Sequence, residues 1–186
     1  MDMPRRRLVE ELAVHLAGWM TGAGTRHGRS GPIPHSFQAP FDSCCHALWR
    51  LRVAFPTDQA GSDLGEPGLG EFNGLPSGYF AFLDEAEIRR RITAFYDGGD
   101  ALFLAAINAF VDCLNWRDAA VGLSRDPQPA DGLPESLWHA LEQAALAVPD
   151  GTGYRWTDSF LQHVWRHHPE LSGFEESRSQ RRLAGR

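Results

Sequence analysis

Two histidines near the C-terminal end come closest to a chemical arrangement. His163 and His167 stand four residues apart. On a helix that spacing sends both side chains from one side and can set two imidazole nitrogens on one metal ion. Val164, Trp165 and Arg166 lie between them, so the glutamate that an HExxH motif supplies as a base is missing. A third ligand would come from elsewhere, from Asp112 or from His27 or His35. The plainer reading places these histidines in solvent at a helix C-terminus, where they complement its dipole, and the sequence favours it.

A second group is a polar seam on the most apolar stretch of the chain. Asn108 and Asp112 are one helical turn apart, in line with Asn115 and flanked by the small residues Ala101 and Ala105. Small neighbours let another element or a ligand approach, but a seam that faces water explains the same pattern. The third group is Cys44-Cys45-His46. Adjacent helical residues diverge by about 100°, so three in a row make a poor metal site. Cys44 and Cys113 read as small core residues, as free cysteines usually are. The three cysteines form no disulfide framework.

Several chemistries are excluded. All 18 basic residues are arginine, which removes the P-loop lysine, the usual kinase lysine and Schiff-base catalysis. There is no G-x-S-x-G elbow. The run Gly68-Leu69-Gly70-Glu71-Phe72-Asn73-Gly74 has dinucleotide-like glycine spacing, but neither a strand before it nor a helix directly after it. No cofactor is implied.

The net charge of −6 is unevenly placed: residues 53–88 carry seven acids and no arginine, residues 127–176 eight acids against two arginines, and residues 177–186 four arginines. An acidic body with basic ends argues against nucleic acid, which needs a continuous basic footprint. The cysteine usage, and the acids that interrupt any leader-like apolar run near the N-terminus, predict a reduced, cytoplasmic protein of bacterial type.

The elements that would position these residues are helical. The pattern predicts a mainly α fold: a single-domain irregular bundle of six or seven helices around a central apolar helix from Asp100 to Trp116, with at most short strands. The domain is read as residues 1–175, followed by a basic, frayed tail over 176–186. A first helix runs to Met20 and is stopped by Gly22 and Gly24. A loop from Thr21 to Pro40 carries Arg26, His27, Arg29 and His35. A second helix is capped by Asp42 and runs towards Pro56, with a strand over Leu48–Phe55 as the alternative. Residues 57–78 form a second loop, with six glycines, Glu66 and Glu71. Tyr79–Leu83 is a short strand or an anchoring turn. Asp84 and Glu87 form a capping box opening a helix to Tyr96, and Asp100 caps the central helix. A short helical turn follows to about Leu123. A further helix starts at Pro134 and is stopped by Pro149, and a last one, capped by Thr157, ends at His168.

Long loops on a rigid scaffold are where recognition usually sits. Together with the acidic body and the incomplete catalytic motifs, they point to a non-enzymatic partner-binding protein: an accessory subunit, an adaptor or an immunity-type inhibitor. The partner is expected to be another protein, touched by Arg26, His27, Arg29, His35, Glu66 and Glu71, and no membrane is involved. The alternative is a small helical metal-binding protein or metalloenzyme that holds a transition metal on His163 and His167.

Overall fold

A computed structural model describes residues 3–26, 35–56, 80–115 and 119–172. The fold is mainly α, with short strands. The residues group into two compact units, Met1–Trp116 and Arg117–Arg186. The basic tail over 176–186 lies outside the described residues.

In the first unit, α1 (Met3–Arg26), α2 (His35–Arg50), α3 (Glu85–Phe95) and α4 (Asp100–Leu114) surround one core. Leu8, Leu12, Leu16 and Met20 recur at helical spacing along α1 and are fully buried. They meet Leu48 of α2, Ile88 and Ile92 of α3 and Phe110 of α4, all equally buried. Helix α4 packs on α1 and α2, and α1 also packs on α3. The apolar circumference of α4 is buried mainly in its C-terminal half, from Ala106 to Leu114, while Leu104 is 44% exposed.

Three sequence expectations fail here. Helix α1 runs through Gly22 and Gly24 to Arg26, because a glycine costs a helix about 1 kcal/mol without ending it. Helix α2 begins at His35 and carries Pro40 inside it, so Asp42 is an interior, half-buried residue and no cap. Proline forfeits one backbone bond, and the buried seam Cys44, Ala47 and Leu48 holds the helix beyond it. The N-cap of α4 is Gly99; Asp100 is the first helical residue, and its carboxylate accepts from Arg5 at 2.7 Å.

Helix α2 stops at Arg50, short of Pro56. The Val53 N–H donates to the Leu48 carbonyl at 3.0 Å and the Arg52 N–H to the Trp49 carbonyl at 2.7 Å, with Arg52 at φ 60°. These are the two bonds of a Schellman cap. The cap turns the chain into β1 (Ala54–Pro56), which pairs antiparallel with β2 (Phe80–Phe82). Half of the expected Asp84 capping box is present: the Asp84 carboxylate accepts from the Glu87 N–H at 2.9 Å, while the Glu87 carboxylate accepts from Arg90 and Arg91 rather than from the Asp84 N–H.

In the second unit, residues 119–127 form bends and irregular chain where a helical turn was expected. After them, β3 (Gln128–Pro129), a 3-10 turn (Ala130–Gly132), α5 (Glu135–Gln143), β4 (Ala147–Asp150), β5 (Gly153–Trp156) and α6 (Asp158–His167) follow in order. The strands form an antiparallel sheet in the order β3-β5-β4. The expected helix from Pro134 to Pro149 is cut short by a second Schellman cap: Leu146 N–H to Leu141 carbonyl, Ala145 N–H to Glu142 carbonyl, and Ala145 at φ 57°. The β4–β5 hairpin then turns on Gly151-Thr152, with Gly151 at φ 62° as the first central residue of a two-residue loop. A Cβ on Gly153 would strike the Gln128 carbonyl across the β3–β5 pair.

Trp138, Trp156 and Phe160 form the core of this unit. Trp138 stacks on Tyr154 at 4.4 Å and tilts against Trp156 at 5.2 Å. Each indole N–H is satisfied by a carbonyl, Trp138 donating to Ala130 and Trp156 to Gly122. Gln128, also buried, donates to the Asp126 carbonyl and accepts from the Gly122 N–H. Thr157 caps α6, accepting from the Phe160 N–H. Among the described residues no helix is long and apolar enough to cross a membrane.

Candidate functional site

Helix α6 carries the histidines. Its buried face is Phe160, Leu161 and Val164, which leaves His163 half-buried and His167 exposed. Burial holds the His163 imidazole below its ordinary range, and the charges of Arg166 and His167 push the same way. The His167 ring meets the edge of His168 at 4.6 Å, and His168 Nδ1 lies 2.9 Å from Glu170. His167, His168 and Glu170 thus meet in sequence at this end of α6, while among the described residues His163 belongs to no group of three ligand atoms close enough to share one ion.

Helix α5 presents a different surface. Its buried side is Leu137, Trp138, Ala140 and Leu141. The outer side exposes Glu135, His139 and Glu142, with Asp131 exposed in the preceding 3-10 turn. His139 lies between two carboxylates, with Nε2 3.6 Å from Glu135 and Nδ1 3.6 Å from Glu142. The sequence of α5 contains no arginine, so this face is acidic along its length. Its signal in the sequence is spacing alone, since Glu135 and His139 stand one turn apart.

In the first unit, Asn108 and Asp112 are half-buried on α4, in line with exposed Ala101 and Asn115 and half-buried Ala105. A cleft of about 340 Å³ opens between α1 and α3, lined by Met3, Arg6, Arg7, Glu10, Glu11 and Arg89. At its floor Arg89 grips the buried Glu11 with both nitrogens, at 2.6 and 3.1 Å, and also donates to Glu85. Those bonds hold the Arg89 guanidinium in its charged form. The expected Glu85–Arg89 and Glu87–Arg91 pairs are present. The Glu11 contact lies 78 residues away in sequence, and no local pattern announces it.

The Cys44 and Cys113 sulfurs touch at 3.0 Å, both buried, while Cys45 is buried separately. His15 meets Phe110 edge-on at 5.9 Å, and burial lowers its pKa to about 4. The expected loop contacts His27, Arg29, Glu66 and Glu71 lie outside the described residues, as do the side chains of Arg26 and His35 at the ends of α1 and α2. No family model, curated protein or solved structure matches this chain.

Proposed function

We propose that this chain is a non-enzymatic partner-binding protein, an accessory subunit, adaptor or immunity-type inhibitor, and that its partner presents a basic protein surface. The observation that carries this reading is the outer face of α5, where Asp131, Glu135 and Glu142 stand exposed with His139 between the two glutamates. Opposite charge across an interface speeds encounter and selects partners. The sheet of the same unit favours docking on a helix face, because its two outer strands each contain a proline, Pro129 in β3 and Pro149 in β4. Prolines on edge strands discourage the addition of another strand. The test is purification of the full chain from its host at low salt. A stoichiometric basic companion is expected, lost at high salt and lost from a Glu135→Arg, Glu142→Arg double variant. A lone monomer, or a companion held equally by the variant, overturns the reading.

A second reading is supported by α6: a metal-binding protein that uses His163 and His167. Burial favours the neutral imidazole at His163, which is the form that binds metal. Elemental analysis of untagged protein decides it. About one equivalent of a transition metal, lost in His163→Ala, supports this reading, and metal-free protein sinks it.

A further inference from the structure

We propose that Cys44 and Cys113 are a modification site, an oxidisable thiol pair that closes into an intramolecular disulfide and staples α2 to α4. The two sulfurs already touch, at 3.0 Å, and each belongs to a helix packed on the other. A disulfide bond is about 2.05 Å long, so each sulfur moves by about half an ångström to close it. The residues are 69 apart in sequence, so the bond would close a long loop and restrict the unfolded chain strongly. Cys45 is buried as well but projects about 100° away around α2, which makes it an internal control.

The chemistry balances with a peroxide as oxidant. One sulfur attacks a peroxide oxygen, the O–O bond breaks, and water leaves with the thiol proton, giving a sulfenic acid. The second sulfur attacks the first, the S–O bond breaks, and a second water leaves. Two thiols and one hydrogen peroxide become one disulfide and two waters; the thiols lose two electrons and the peroxide gains them. Hydrogen peroxide is small and neutral, which suits a buried site. Burial pushes the Cys44 thiol up, and its contact with Cys113 adds to this, so thiolate is scarce and the reaction slow. The pair therefore registers sustained oxidation and ignores a brief pulse.

The experiment uses the full reduced chain. It is held with hydrogen peroxide for hours, unfolded in guanidinium with N-ethylmaleimide, and weighed before and after digestion. One of the three thiols should remain alkylatable, with two hydrogens lost from the intact chain and a cross-linked peptide joining Cys44 to Cys113. The thermal midpoint should rise on oxidation and return with dithiothreitol. Cys45→Ala should keep the bond, and Cys113→Ala should lose it; if Cys113→Ala does not fold, the peptide map of Cys45→Ala decides alone. Three alkylated thiols, a bond through Cys45, a bond between chains, oxygen addition without a bond, or an unchanged midpoint each overturn the proposal.

Discussion

His15 shows how a half-buried residue carries a charge state that its type does not reveal. Its ring, on α1, packs edge-on against Phe110 at 5.9 Å, and burial lowers its pKa from 6.5 to about 4. The unfolded chain therefore takes up this proton first as pH falls. Stability should decline between about pH 6.5 and 4, by up to about 1.4 kcal/mol per pH unit from this group, and this group adds no slope above that window. Glu87, held down at about 2 by Arg90 and Arg91, adds a pH slope only below 4.5, where its stabilising charge begins to be lost. Urea melts across about pH 4–7.5 should show a smaller slope in His15→Leu than in the wild type, the remainder including His163, which burial also holds low. Gly153 is a second residue-scale case, since a Cβ there would meet the Gln128 carbonyl. Gly153→Ala should cost about 2–3 kcal/mol in a denaturant melt, whereas Gly18→Ala, where a Cβ meets nothing, should be neutral or stabilising.

Among the elements, local signals were legible and distant ones were not. The Asp84 N-cap, the i,i+4 pairs of α3 and the Thr157 cap depend on residues within four positions of one another, and each is present; the Glu87 half of the capping box is not, because its carboxylate goes to Arg90 and Arg91. The β4–β5 hairpin was hidden because Leu137, Trp138, Leu141 and Val148 continue a helical spacing across the Ala145 cap. Asp150-Gly151 is the local turn signal that marks this hairpin. That cap places an alanine in the left-handed region, at φ 57°, with about 1–2 kcal/mol of strain. Ala145→Gly relieves the strain but adds about 0.4–1 kcal/mol of unfolded-state entropy, so a net gain of about 0.5 kcal/mol in a thermal melt is expected. The α1–α3 contact depends on a pair no local pattern could show. Glu11 is 7% exposed and Arg89 32%, so Glu11→Ala should cost about 2 kcal/mol, below the 3–5 of a fully buried pair because Arg89 keeps Glu85. Glu85→Ala should cost only a few tenths, and a measured equality of the two would contradict this assignment.

For the whole molecule, the apolar pattern predicts the mainly helical class correctly, because periodicity records which faces are buried regardless of what buries them. It carried less information on how the chain is partitioned. Residues 119–172 bring together features of a self-sufficient unit: an aromatic core of Trp138, Trp156 and Phe160, a three-stranded sheet, two capped helices, and the Trp138 and Trp156 indoles and Gln128 amide satisfied by the unit's own carbonyls and N–H groups, although the buried Trp165 indole N–H has no partner among the described residues. A unit of this size buries little apolar surface and is marginal on that ground alone, so its polar satisfaction and stacked rings are what would let it stand. The fragment 117–186, expressed alone, should therefore fold, with a near-ultraviolet circular dichroism band from the stacked Trp138–Tyr154 pair and a cooperative melt of a few kcal/mol. Trp138→Phe, which removes the indole donor to Ala130, should weaken that melt by about 1–2 kcal/mol without abolishing the hairpin. A fragment with no near-ultraviolet band and no cooperative transition would mean that the chain folds as one domain, and that the satisfied groups of this unit are held in place by the rest of the protein.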